Sequence, residues 1–547
     1  MSKFWICTIL IFVCAGSSRS FAAPGALDLT FNGSGSTNVA MGAGNTFGRA
    51  LAVQPDTKVL LGGYTHNGTN FDFAVARFLA DGSRDTAFGQ GGEVITSVSG
   101  GDDYGLCIAV QSDGKFLLAG YSENAGIREM SIVRYQIDGA LDESFGTGGK
   151  QLIQAGQSRS SAWSLVITHD GKILLAGWTD EGGRDVFASI RLNTNGTLDS
   201  SFGNSGKITT AVGSVSSSGR GIAIQNDGKV IIGGFATIEG SIDFAVARYD
   251  SNGLLDTTFA DSGIALIPVG NSSTDYAYSA LIQSDSKIVI AGSSSINGTA
   301  DFAMVRLDQN GYLDQGFGVG GKVTADFQTD NDFALKVTAQ LDGKLILIGS
   351  ARVQGAANIA VARFHTDGTP DLGFGNGGKV VTPVSATSNA SWDVAVTPNG
   401  RISVSGWSQI DSRFQMTLVR YVGTKPIEDW RYRYFRTILP QGITTNDSDP
   451  DKDGIPNLVE YAFGTPPDKP GGVELPLIQT DSEAYMVEFT PPEGVSGIHY
   501  DLEWSPSLAV SSWVLLTNDA VAPNYRFRLP RNSIPAAFFR HRITELP

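Results

Sequence analysis

The feature that most constrains this chain is an internal repeat. The segment GALDLTFNGSG, with Asp28 and Phe31, recurs six more times in altered form. Its aspartates are Asp28, Asp85, Asp142, Asp199, Asp256, Asp314 and Asp371, set 57 residues apart except for one step of 58 before Asp314. A turn of the DGK kind keeps the same register, at Asp56, Asp113, Asp170, Asp227, Asp285, Asp342 and Asn399. So does an arginine, at Arg77, Arg134, Arg191, Arg248, Arg306, Arg363 and Arg420. Three landmarks in one register from Asp28 to Arg420 exclude coincidence. A period of this length marks one supersecondary unit used over and over.

Each unit reads as four short strands. In the second unit, GLCIAVQ (105–111) runs into Ser112-Asp113-Gly114, a two-residue hairpin signal. KFLLAGY (115–121), a variable loop, MSIVRYQ (130–136), the LD..F turn and a strand at 149–154 follow. The first two strands are nearly continuous apolar runs, the pattern of strands buried on both faces. No 3.6-residue periodicity intervenes, which excludes helical solenoids. Glycine, 67 of 547 residues, supplies the tight turns. Four antiparallel strands per repeat point to β-propeller blades. A β-helix has a shorter repeat and no hairpins. The ends of the repeat region complement each other. It opens with an LD..F turn and one fourth strand near 36–41, and closes after three strands near 391–421. Joined, they make a seventh blade that closes the ring without a free sheet edge.

The strings GxLDxxFGxxGK, QxDGKxxxxG and AVARY, spread over residues 25–421, resemble the bacterial delta-60 repeat, a β-propeller family of exported proteins. The resemblance implies a fold and an extracytoplasmic address, and it carries over no catalytic residue. The expected architecture is all-β. A seven-bladed propeller occupies 23–424, a helix–loop–helix 425–470 and a small β-sandwich 471–547.

Residues 1–22 have the layout of a secretory signal peptide: a basic start at Lys3, the apolar run FWICTILIFVCAG and a small-residue exit at Ala22. The run is shorter than the ~20 residues needed to span a bilayer. Cys7 and Cys14 leave with the signal, so Cys107 has no internal partner and core packing must hold the exported fold. A formal charge of −15 argues against nucleic acid, which selects basic surfaces.

A residue used once per blade belongs first to the blade. The repeated arginine should reach a carboxylate or carbonyls of the LD..F turn, because a buried guanidinium needs partners. GFGVGGKV (316–323) mimics a phosphate loop, but it lacks the final Ser or Thr and recurs as a blade turn. Asp250, Asn252 and Asp256, and Asp308, Asn310 and Asp314, resemble shortened calcium loops, although Asx turns account for them better. No HExxH, GxSxG or paired CxxC is present.

Beyond Tyr421 the character changes. IEDWRYRYFRTIL (427–439) and NLVEYAFG (457–464) read as helices flanking an acidic loop. Asp449, Asp451, Asp453, the carbonyl of Ile455, Asn457 and Glu460 occupy loop positions 1, 3, 5, 7, 9 and 12, with Gly454 at 6. That is the oxygen-donor spacing of an EF-hand calcium loop, since a hard cation takes six or more oxygens around a sharp glycine turn. The segment resembles the DPDxDGxxNxxE modules akin to dockerin and thrombospondin type 3 loops, and one Ca²⁺ is expected there. The strings AYMVEFT, IHYDLEWS, SWVLLT, YRFRLP and AFFRHRI read as strands of the sandwich.

For function, the sequence favours an exported, non-catalytic platform binding a glycan or a protein. The alternative is a hydrolase or lyase acting on an extracellular polysaccharide through the central channel. The variable face, formed by second-to-third-strand loops and blade connections, carries the candidate binding residues. These are Asp72, Asp103, Tyr104, Asp243, Asp275, Tyr276, Asp301, Asp332 and Phe333. No catalytic residue stands out from the repeats.

Overall fold

The computed structural model describes residues 22–546, apart from 271–273, 297, 329, 471–475, 477, 481–482, 493, 507–512, 521–522 and 531–537. Nearly all of the expected signal peptide lies outside the described residues, as do the first residues of SWVLLT and AFFRHRI. No helix among the described residues is long and apolar enough to cross a membrane. The chain divides into two units, 24–423 and 424–547.

In the first unit the repeat folds as seven four-stranded antiparallel sheets. The first complete blade uses Thr46–Val53, Val59–His66, Phe71–Phe78 and Glu93–Thr96, paired in that order. The seventh uses Asn389–Val396, Ile402–Ile410 and Arg413–Tyr421, and borrows Ser36–Val39 as its outer strand. Ser36 faces Val419 and Val39 faces Met416, so the two ends of the unit share one sheet. The borrowed strand stops two residues short of the expected 41.

Each sheet packs on the next through apolar faces. Phe88 of the first blade meets Phe116 of the second at 5.9 Å, and Phe116 stacks on Tyr135 at 4.9 Å. The second and third strands are buried almost throughout. The first strand is less buried, with buried and half-buried positions interspersed. This corrects the expectation of burial on both faces, because one face of that strand lines the channel.

The repeated polar residues form one latch per blade. Arg134 Nε donates to Asp142 at 2.7 Å, Lys115 Nζ to the same carboxylate at 2.8 Å, and the guanidinium lies over Phe145 at 4.7 Å. Its Nη1 reaches the Thr194 carbonyl in the following blade. The same contacts recur around the ring, and the last one closes it: Arg420 and Arg401 both hold Asp28, at 2.9 and 3.1 Å. Asp142 is typical in its titration. Burial raises its carboxyl pKa, but Lys115, Ser144 and Arg134 more than offset this and hold it well below the usual range. The calcium-like strings resolve as Asx turns, with Asp250 accepting the Asn252 and Leu254 amides, both at 2.9 Å.

In the second unit, helices α1 (Pro426–Phe435) and α2 (Asn457–Phe463) accompany two three-stranded sheets. Ile427, Trp430, Tyr461, Ile498 and Tyr500 share one core, so helices and strands form a single body.

Candidate ligand-binding site

The channel is built from the first strand of every blade, and each of these strands carries a bulge at the same place. The register slips between Gly48 and Ala50, between Gly105 and Cys107, and at the equivalent step of the other five blades. A bulge leaves one residue unpaired and re-aims its side chain. Here those residues are Arg49, Leu106, Trp163 and Arg220 in the first four blades, then Tyr278, Leu335 and Trp392. All seven line one small cavity of about 50 Å³, together with Cys107, Lys336 and Asp393. The glycine opposite each bulge is forced by close approach. A Cβ on Gly63 would lie 1.9 Å from the Phe47 carbonyl oxygen, and one on Gly120 would lie 1.9 Å from that of Tyr104.

The ring is chemically uneven. The Arg49 guanidinium stacks on Trp392 at 3.5 Å, and three blades away Arg220 stacks on Trp163 at 3.7 Å. Arg49 Nη2 donates to the Tyr64 hydroxyl at 2.9 Å. Its Nε and Nη1 are buried without a hydrogen-bond partner, as are Arg220 Nε and the indole N–H groups of Trp163 and Trp392. Lys336 pairs with Asp393 at 3.5 Å, and Asp393 also accepts the Leu51 amide at 3.0 Å. Burial pushes the Cys107 thiol far above its usual pKa, which keeps it unreactive.

Tyr64 joins this ring to a row of aromatic side chains on the face of the second-to-third-strand loops. Trp407 meets Phe414 at 4.7 Å, Phe414 meets Phe47 at 5.2 Å, and Phe47 meets Tyr64 at 5.1 Å. Tyr64 leads to Tyr104 at 4.9 Å, and Tyr104 stacks on Tyr121 at 4.7 Å, with Arg128 over Tyr121 at 4.3 Å. Except for Tyr64, these rings are half-buried. The row crosses the seventh, first and second blades. A smaller group, Phe235, Tyr276 and Tyr278, lies beside Arg220.

The candidate residues read from sequence divide in two. Tyr104 and Tyr276 belong to these aromatic groups, and Phe333 is exposed. Asp103, Asp275 and Asp332 are fully buried and hold the blade connections. Asp103 accepts the Val98 amide at 2.6 Å, Asp275 the Val269 amide at 2.7 Å, and Asp332 the Phe327 amide at 2.8 Å. Thr46, Ser160 and Asn389 do the same work in other blades. They are internal supports, and this corrects their placement on the ligand-facing rim. Asp72 and Asp243 are also buried, accepting from Asn67 and Ser241. Asp301 is half-buried beside Asp326 and Asp332. Burial, then the charges of Asp326 and Asp301, lift the Asp332 carboxyl to about 6, against the pull of its two amide hydrogen bonds.

Sequence reading missed the bulge ring and most of the aromatic row. The available signal was a large residue following a small one inside each first strand, as in FGRAL, YGLCI, SAWSL and SGRGI.

The family model described as "Domain of unknown function (DUF5122) beta-propeller" matches six segments: 54–88, 111–145, 169–202, 225–259, 283–317 and 340–374. The repeat region belongs to this β-propeller family. No curated protein matches the sequence. Among solved structures, an inactive virginiamycin B lyase from Staphylococcus aureus is 13% identical, with 70% of this chain and 98% of that one covered and a TM-score of 0.41. A polysaccharide lyase described as an ulvan lyase is 10% identical, with 71% and 96% covered and a TM-score of 0.43. An aldose sugar dehydrogenase from Streptomyces coelicolor is 14% identical, with 66% and 98% covered and a TM-score of 0.33. Such distant likenesses say nothing of this propeller's chemistry.

Beyond the DUF5122 repeats, the acidic loop of the second unit is wrapped as a ligand loop would be. Carboxylate oxygens of Asp449, Asp451 and Asp453 lie within 4.8 Å of one another. The Lys452 and Gly454 amides turn back to Asp449 at 2.8 and 2.9 Å, with Gly454 at φ 90°. Glu460 stands outside that close group but is 1% exposed, with Oε2 unpartnered. Asn457 is equally buried. Its Nδ2 donates to the carbonyls of Ile443 and Thr445, and its Oδ1 is left over. Burial, then the charges of Asp451, Asp453 and Asp449, push Glu460 up to about 8. Surplus oxygens around concentrated negative charge fit a hard divalent cation.

Proposed function

We propose that this chain is an exported binding platform and that the aromatic row from Trp407 to Tyr121 receives a carbohydrate. The row carries the reading. A series of half-buried rings can offer apolar faces to the C–H faces of sugar rings, while Asp102 and Glu123, whose charges act on Tyr104, can meet hydroxyls. Sites of this kind pair a mostly apolar surface with a few placed polar groups. The fold decides nothing here, since propellers host binders and enzymes alike.

The test is a glycan array probed with wild type and with Tyr104→Ala/Trp407→Ala. The double variant should lose bound glycans while melting within a few degrees of wild type. Glycans bound equally by both proteins would move the site elsewhere. A peptide-only binder would replace carbohydrate with protein as the partner, and turnover of a bound glycan would restore the enzyme reading.

We also propose that Asp449, Asp451, Asp453, the Ile455 carbonyl, Asn457 and Glu460 bind one Ca²⁺. The buried, unpartnered oxygens of Glu460, Asn457 and Asp451 support it. Calorimetry on the full chain should show one site, with Kd within the range of roughly 10⁻⁴–10⁻³ M usual for extracellular modules. Asp453→Ala should abolish it, and a wild type that shows no calcium heat at millimolar calcium refutes it.

A further inference from the structure

We propose that the bulge ring is an oxyanion site, in which Arg49 and Arg220 hold a carboxylate, sulfate or phosphate group in the channel. The inference rests on the channel alone and stands whichever ligand the aromatic row takes.

Three observations carry it. First, the unpartnered groups around the cavity are all donors: Arg49 Nε and Nη1, Arg220 Nε, and the indole N–H groups of Trp163 and Trp392. Buried donors are normally satisfied, and those on a guanidinium cost the most to leave unmet. An oxyanion brings several acceptor oxygens at once, whereas an apolar guest brings none.

Second, the charge is unbalanced in the same sense. Lys336 and Asp393 offset each other across 3.5 Å. Arg49 and Arg220 form no ion pair among the described residues, in a chain whose formal charge is −15. Desolvation lowers the Arg220 pKa to about 10, the mark of a cation held without sufficient counter-charge.

Third, the arginines are held in place. Each guanidinium carbon lies over an indole ring, 3.5 and 3.7 Å from its centroid, a contact that restrains the group while its N–H donors stay available. A cavity of about 50 Å³ admits one small group. The Arg49–Tyr64 hydrogen bond places this ring next to the aromatic row, so the charged group can belong to a larger ligand.

The experiment uses the full chain and follows tryptophan emission and calorimetric heat at matched ionic strength. Its probes are sodium sulfate, inorganic phosphate, sodium acetate and sodium glucuronate, with sodium chloride as reference. Saturable binding of at least one oxyanion, absent with chloride, is expected. Arg49→Gln and Arg220→Gln should each weaken it about tenfold or more, the usual loss of a hydrogen bond to a charged group. Arg→Lys at either position, which keeps the charge, should weaken it less. Response to glucuronate alone assigns the site to the acid group of a sugar, and response to sulfate or phosphate assigns it to those ions. Oxyanions that act like chloride on wild type overturn the proposal without any variant. So does undiminished binding in both folded glutamine variants, and the channel then holds water.

Discussion

Two sets of arginines in the propeller, one on the third strands and one on the first, make opposite use of the blade. The latch arginines, from Arg77 to Arg420, sit at one register and meet one set of partners in every blade. Arg134 shows the set: a carboxylate, a neighbouring carbonyl and a ring beneath the guanidinium. The bulge positions also share one register, yet they hold Arg, Leu, Trp, Arg, Tyr, Leu and Trp. Among the described residues their two arginines have no carboxylate partner, and donors are left over. Repetition with satisfied groups marks a part of the scaffold. Variation with unsatisfied groups marks a place where the scaffold meets something else.

The sharpest way to break this comparison is at the closing latch. Removing residues 23–44 takes away Asp28, Phe31 and the outer strand of the seventh blade, and leaves Arg420 buried without its carboxylate. Soluble, protease-resistant protein should largely disappear. A truncated form that melts like the full chain would show that closure lies elsewhere.

A smaller effect compares the two arginine sets directly by chemical denaturation. Arg134→Met strands Asp142 beside Lys115 and should cost about 3–5 kcal/mol, as expected when one partner of a buried pair is removed. Arg220→Met removes a buried charge that has no ion partner, and stability should hold or rise by up to about 1–2 kcal/mol. Equal losses in both would erase the distinction between scaffold and site.

The smallest effect concerns pH. The latch carboxyls, Asp142 among them, are lowered by their partners, so their contribution is complete above the unfolded value near pH ~4 and is lost as pH falls through the folded values. Asp332 runs the other way. Its folded pKa of about 6 lies above the unfolded value, so the native state binds more protons in that window and stability declines as pH rises through it. Asp332→Asn copies Asn389, which accepts the Ser385 amide at the equivalent place. The variant should be more stable than wild type by on the order of 1 kcal/mol at pH 8, and the gain should fade towards pH 4. A gain that does not vary with pH would point to packing instead.

Part of this molecule is legible in the sequence because its cause is local or periodic. Asp28 at one end and the three strands ending at Tyr421 at the other announce a shared blade, since no other arrangement completes the pattern. The Arg–Asp latch is legible for the same reason: each of the seven positions has only the repeated turn within reach. The loop Asp449–Glu460 is legible because its donors follow one another along the chain.

Tertiary structure alone decided the site. Arg49, Trp163, Arg220 and Trp392 lie in different blades, and nothing along the chain says that they face one cavity. A bulge also turns its residue away from the two-residue alternation that strand reading assumes, so the pattern hides the side chains that matter most. Asp103, Asp275 and Asp332 failed as rim residues for a related reason. Their burial depends on a backbone connection folding over them, and the sequence shows only that each is a carboxylate near a loop. Periodicity determines what every blade must share, whereas convergence of unlike residues at an axis exists only once the ring has closed.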